Sequence, residues 1–481
     1  MPKLFSIFIP KDKPLFKYIF FLAIPVILTN ISRVFMGLVD MLMVANIGIE
    51  YAVSAVSFGG MIVWFFMGFG ISLRTATQSL ASRRLGQKKL SECSTALWNM
   101  QLAALIIGIP MTCLCYFNTE NIFSYLINNN SIELLTIQYS RWVFLGIYFV
   151  LASFVFQGFY TGIEKTKIHM YATVGSNLVN LYFNIALIYG SEKIAQYFEG
   201  SYFSILKYLW LWMNFPELKI EGAGIATLIA SGSLLIFYIA PLFKKEMINT
   251  YKTLNIKINH VMLKTQINLA APLMITEIAH HSAFILFYAI IENKLGVTIF
   301  EATAVVFRIM HASFMPAIGV AQACATVVGK SLGENNIKKA ESSIVEGLRG
   351  SFFIMGGIGL IFILFAQYLV PPFVDSNLYY YDEVIKIAIP CLVFLGVLQF
   401  IDPIGITMWF ALGAAGDTKY PAVVDFIVNW FVFIPMVYVT CTYYQNFGIW
   451  GPWSAIGIQI TLLAVAMAAR VKQGKWKTIE V

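Results

Sequence analysis

LAIPVILTNISRVFMGLVD, residues 22–40, is an apolar run broken by Pro25, Arg33 and Asp40. With its flanks it extends over 16–44, more than the roughly 20 residues that cross a bilayer as a helix. Further runs of this kind lie near 51–81, 93–117, 134–160, 168–190 and 222–243. After a polar stretch at 244–265, six more lie near 266–291, 300–329, 346–370, 384–412, 421–444 and 450–470. Twelve spans are therefore expected. Composition agrees: 59 % of the 481 residues are hydrophobic and 12 % charged, against about 25 % charged in a typical soluble domain. Mean hydropathy is +0.74. The basic N-terminal segment precedes an apolar run too long for a signal-peptide core, which reads as a retained first span. The six cysteines form no CxxC and no His cluster accompanies them, so reduced, structural thiols are expected rather than a disulfide or metal framework.

The net charge is +8, but the basic residues punctuate apolar blocks instead of forming a nucleic-acid footprint. With the N-terminus placed inside, 24 of the 33 Lys and Arg fall on inside segments and 6 outside; Arg33, Arg74 and Arg308 fall within spans. That asymmetry predicts an even number of spans with both ends cytoplasmic.

The halves repeat. LAIPVILTN at 22–30 returns as LAAPLMITE at 269–277, and SLASRRLG at 79–86 as TVVGKSLG at 326–333, both at an offset of 247. EKTK at 164–167 faces GDTK at 416–419, and Asn177 faces Asn429, both at 252. Six spans per half give both halves the same orientation, a parallel repeat of the kind transporters use. The expected organisation is an N-terminal lobe over 1–243, a cytoplasmic linker over 244–265 and a C-terminal lobe over 266–481. The outside insert 191–221 is aromatic-rich and reads as a short amphipathic helix along the interface.

A charge at the centre of a span costs roughly 2.5–3.5 kcal/mol even on insertion scales, so intramembrane ionisable groups are functional candidates. Asp40, Glu277, Asp402 and Asp425 are the carboxylates. Asp40, acceptor-only when ionised, can hold a sodium ion or take up a proton; its alternative is a helix-end aspartate at the outer interface. Pro25 on the same helix removes a backbone bond and kinks it. Glu277 and His281 are spaced i, i+4 and share a helix face, with His280 beside them; histidine titrates near neutral pH unaided. Arg33, Arg74 and Arg308 are candidates to line a cleft, with structural ion pairing or snorkelling as the alternative. No HExxH, GxSxG or Walker A sequence occurs, which argues against an enzyme and against ATP-driven transport by this chain.

The order and spacing of these features resemble the multidrug and toxic compound extrusion (MATE) family. Its pattern of proline, aspartate fifteen residues on and glycine eight further is matched by Pro25, Asp40 and Gly48. Ser79–Gly86 and Thr326–Gly333 match its helix endings, GFYTGIEKTK at 158–167 its glycine-rich turn, and Asn180 with Asn184 its asparagine pair. The resemblance covers about 15–470. It implies an all-α membrane protein, with twelve transmembrane helices in two pseudo-symmetric six-helix lobes around a central cleft. It implies export of small, cationic organic compounds in exchange for H+ or Na+, without a cofactor, a catalytic residue or a resident metal. It also implies a monomer in the plasma (inner) membrane. Asp40 is then the coupling residue, with Asn180, Asn184 and Tyr139 around it, and Glu277, Asp402, His280 and His281 form a second-lobe ion or cargo site. The seventh-span acid of the family lies eight residues after the proline, where this chain has His280. Asp402 stands fifteen before Asp417 as in one family branch, but Gly405, Gly413 and Ala414 depart from that branch's pattern. Relatives in the wider superfamily flip lipid-linked sugars; three intramembrane arginines keep that alternative open.

Overall fold

A computed structural model describes residues 10–127, 129–199, 204–374 and 380–479. Lys3 of the basic N-terminal segment and residues 200–203 of the insert lie outside them. The chain is helical, and no strand occurs among the described residues. In the first half the spans are α1 Lys13–Ala45, α2 Ala52–Gly86, α3 Leu90–Phe117, α4 over 130–162, α5 Thr166–Asn184 and α6 Lys219–Ile239. In the second they are α7 His260–Leu295, α8 Val297–Gly333, α9 Ile337–Leu369, α10 over 381–414, α11 Lys419–Tyr443 and α12 Trp450–Gln473. Among the described residues nine helices are long and apolar enough to cross a membrane alone, and two bent pairs make eleven. The twelfth is α5, whose apolar character is diluted by His169, Asn177, Asn180 and Asn184.

The bent pairs occupy matching places in the two halves. α4 is Asn130–Leu145 and Ile147–Gly162 meeting at 46°, and α10 is Tyr381–Leu398 and Asp402–Ala414 meeting at 51°. Gly146 makes the first break. In the second, Asp402 and Pro403 open the new segment, where Pro lacks the donor a first turn cannot use and a carboxylate faces the positive end of the helix dipole. Pro25 and Pro272 sit inside continuous helices. In both, the threonine one turn on returns a bond to the proline carbonyl: Thr29 at 2.8 Å and Thr276 at 2.9 Å.

The first helix of each half packs into the other half. Leu15, Ile19 and Leu22 of α1 share a core with Val320, Ala323 and Val327 of α8, while Leu269 and Ala270 of α7 share one with Leu73 of α2 and Phe156 of α4. The ends of α2 and α8 cross with their backbones in contact. A Cβ on Gly86 would stand 3.0 Å from Gly333 Cα, and one on Gly333 3.1 Å from Gly86 Cα. Ser79 donates to Ala414 O at 2.9 Å, and its counterpart Thr326 to Thr161 O at 3.2 Å. Glu164, in the turn after α4, meets Lys330 of α8 at 2.8 Å and accepts from Tyr18 of α1 at 2.5 Å. Glu346 accepts from the backbone N–H of Lys11 and Asp12 at 3.1 and 3.2 Å. The two halves are thus joined firmly at the end that carries both termini.

The polar stretch between the halves is not a free tether. Ser94 and Trp98 of α3 donate to the carbonyls of Tyr251 and Thr253 at 2.6 and 2.9 Å, laying it along α3. The insert contains the helix Gly190–Tyr197 and a turn of helix at Tyr208–Leu211. Trp210 stacks on Tyr182 at 5.6 Å and donates to its carbonyl at 3.0 Å, clamping the C-terminal end of α5. All six cysteines are free, and only Cys113 is exposed.

Candidate functional site

The polar residues of α5 fall on one face. His169, Thr173, Ser176, Asn180 and Asn184 recur every three or four residues and all are buried. The first part of this stripe faces α6, where Ser176 donates to Ala230 O at 2.8 Å, and its far end faces α1. Asn177, beside it, donates to Ser32 at 2.7 Å, and Asn184 donates to Asp40 at 2.6 Å. Asn180, with its amide nitrogen turned toward α1, stands 3.0 Å from Asp40 Oδ1 and 3.3 Å from Oδ2. Two asparagines one turn apart therefore hold one carboxylate, and the Oδ1 of Asn184 is buried without a partner. Tyr139 on α4 is buried beside this group, within electrostatic reach of Asp40, and pairs with Thr227 of α6; no hydrogen bond joins it to Asp40 among the described residues.

The second-lobe candidates divide between two places. A cavity of about 270 Å³ is lined by Thr276, His280 and Phe284 of α7, Asp402 and Phe410 of α10, Asp425 of α11 and Gln459 of α12, among others. Its lining is mostly apolar and aromatic, with two carboxylates and a histidine converging, the make-up of a small-molecule site. His280 Nδ1 stands 3.7 Å from Asp425 Oδ2. Gln459 donates to Asn429 at 2.6 Å. Glu277 and His281 pair with each other at 3.7 Å. The Glu277 stem packs on Gly68 of α2, where a Cβ would come within 2.7 Å, so this pair faces the other half.

The three arginines do not act alike. Arg33 and Arg74 converge on Phe154, their guanidinium carbons 5.6 and 5.9 Å from the ring centroid. Arg308 is exposed, stands near Tyr288, and joins neither. No direct Arg33–Asp40 pair forms among the described residues. Residues that a sequence reading underrates also enter: Asp425, His169 and Tyr238. His169 Nδ1 meets the Tyr238 hydroxyl at 2.5 Å. Asp425 lies 252 residues after Thr173 of the α5 stripe, the same offset that relates Asn177 to Asn429. That offset ties Asp425, already a candidate as an intramembrane carboxylate, to the polar stripe of the other half.

Known proteins agree with this architecture. The MatE family profile matches residues 25–186 and 272–439, one stretch in each half. The chain is 23 % identical over 480 residues to a protein of Thermotoga maritima described as probable multidrug resistance protein NorM, covering 98 % of this chain and 96 % of that one. A NorM-like protein of Agrobacterium fabrum, described in the same words, is 23 % identical over 465 residues, covering 95 % and 93 %. Among solved structures, an outward-facing multidrug resistance MATE family transporter of the MOP superfamily superposes with a TM-score of 0.83 at 19 % identity, over 97 % of both chains. Matched by the family profile over more than half its length, the chain belongs to the MatE family and is a multi-span membrane transporter, not an enzyme.

Proposed function

We propose that this protein is a secondary exporter that expels small amphiphilic organic compounds, cationic ones among them, in exchange for H+ or Na+ entering through Asp40. The observation that carries this reading is a carboxylate inside a span, held at 2.6 Å by Asn184 of another helix, next to an asparagine oxygen that is buried and unpartnered. Asp40 and the unpartnered side-chain oxygen of Asn184 are hard oxygen donors of the sort that hold a small cation, and Asp40 alone suffices for a proton. Ion uptake neutralises a charge that is costly in hydrocarbon. Because α1 packs on α5 at its outer end and on α8 at its inner end, a shift there bears on both lobes.

In this reading the lobes 1–243 and 266–481 are the moving bodies and 244–265 joins them. Both termini are cytoplasmic, the protein works as a monomer in the plasma (inner) membrane, and the Lys330–Glu164–Tyr18 cluster latches the cytoplasmic side. The cavity around Asp402, Asp425 and His280 supports cargo binding in the second lobe, with Glu277 and His281 at the seam between lobes. The test is purified protein in liposomes loaded with a fluorescent organic cation, with pH and sodium gradients imposed separately. Efflux that follows one gradient supports the proposal and names the ion. Efflux under neither would overturn it in favour of a lipid-linked sugar flippase, the reading to which Arg33 and Arg74 lend weight.

A further inference from the structure

The first half buries positive charge without a counter-ion. Arg74 is 5 % exposed, and its Nε has no hydrogen-bond partner. Arg33 is half-buried on the neighbouring α1 and shares the Phe154 ring with Arg74. Among the described residues neither guanidinium forms an ion pair; Asp425 and Glu277 meet His280 and His281, and Asp402 lies in the cavity on the far side of Phe410. His169 is fully buried behind them, within electrostatic reach of both arginines, and its Nε2 is also unpartnered. Glu277 is the carboxylate within electrostatic reach of Arg74, and it already meets His281 at 3.7 Å.

An ionised group in a low-dielectric interior is costly unless something of opposite charge compensates it. Where the protein supplies no such group, a ligand is the remaining source, and intramembrane cations of this kind mark substrate pathways. Guanidinium suits this task because its planar fork matches a carboxylate or phosphate with two parallel bonds. The position of the pair is informative too. Arg74 stands 5.9 Å over the ring of Phe410, and Phe410 is a wall of the cavity that holds Asp402, Asp425 and His280. A basic patch and an acidic cavity are thus separated by one aromatic side chain.

We propose that Arg33 and Arg74, with His169 behind them, form an anion-accepting half-site, so that the preferred cargo is an amphiphile bearing a carboxylate, sulfonate or phosphate, and one that also bears a positive charge fills both half-sites. This rests on the transporter reading above but narrows the cargo beyond it. The same chemistry could arrive as a free compound or as an anionic lipid headgroup.

The test uses two dyes that differ only in the anionic group, tetramethylrhodamine and its methyl ester. Both are titrated by fluorescence anisotropy onto the full chain in phosphatidylcholine nanodiscs. The free carboxylate is expected to bind about tenfold more tightly than the ester, the worth of one charge-assisted hydrogen bond. Arg33→Gln and Arg74→Gln should each erase the preference, and Arg74→Lys should keep part of it. Because the ester reports folded protein in every variant, a ratio is read rather than an absolute loss. If Arg74→Gln binds neither dye, Arg33→Gln and Arg74→Lys decide. Equal binding of the two dyes to the native chain, or an unchanged preference in Arg33→Gln, would overturn the proposal. Loss of the preference when phosphatidylglycerol is added would support the half-site and identify a lipid headgroup as its occupant. Gradient-driven efflux of the ester without a carboxylate preference sinks this inference alone; a preference without efflux of either dye sinks only the exporter reading.

Discussion

Asp40 and Asn184 meet across two helices at 2.6 Å, and much of the proposed chemistry depends on that contact. A hydrogen bond to a charged group contributes about 1.5–3 kcal/mol and favours the ionised, unloaded carboxylate, so Asn184→Ala should ease proton uptake at Asp40 by roughly 10- to 100-fold. If the coupling ion is H+, the proton concentration needed for half-maximal efflux would fall by that factor, while expression stays normal. Asp40 and Asp425 were both legible as candidates, because a carboxylate in an apolar run has few uses other than binding. The partner of Asp425 was not, since no motif surrounds it; that shows only when α7 and α11 bring His280 within 3.7 Å. Asp425→Asn should lower affinity for an organic cation by about tenfold or less, since a single charge is lost and the cavity keeps its shape. Equilibrium binding of a fluorescent cation would report it. Arg308 shows the opposite case. Its side chain is exposed and apart from Arg33 and Arg74, a placement that the sequence does not give, because helix rotation about its axis cannot be read from a run of uniformly apolar neighbours.

At the scale of an element, α5 explains why apolar length alone counts eleven spans. Its buried stripe of His169, Thr173, Ser176, Asn180 and Asn184 makes it too polar for a hydropathy test, and the last two of these hold Asp40. The crossing of α2 and α8 was legible as two matched motifs ending in Gly86 and Gly333, but not as a contact, since pairing of distant segments leaves no local trace. Gly333→Val would drive side-chain atoms into the α2 backbone at Arg83 and Gly86. Overpacking of this kind costs about 1–3 kcal/mol, here borne by the state in which the ends are joined. The thermal midpoint should fall, and cysteines placed on either side of the crossing should label faster. Lys330→Ala is milder. It removes a half-buried pair with Glu164, worth about 1 kcal/mol after solvent screening, or roughly fivefold in the open-to-closed ratio. Labelling of a cysteine behind the latch would increase by that factor, and equal labelling would remove the latch from the mechanism.

Across the whole molecule, the constant offset of 247–252 between matching motifs announced two like halves in one orientation. It did not announce that α1 and α7 each pack into the opposite half, because repeats fix what resembles what and not what touches what. That exchange matters for function. In the proposed mechanism a helix that carries Asp40 at one end and a share of the other lobe's core at the opposite end would link ion occupancy to the arrangement of both lobes, in keeping with the rule that a ligand shifts an equilibrium only by binding its states unequally. The most direct test of this account compares native protein with Asp40→Asn in liposomes under the gradient that drives efflux. Native protein should expel the fluorescent cation uphill, whereas the variant should still bind it yet leave it at the concentration set by passive equilibration. Uphill efflux by Asp40→Asn at the native rate, at equal protein content, would contradict the claim that ion coupling runs through this carboxylate.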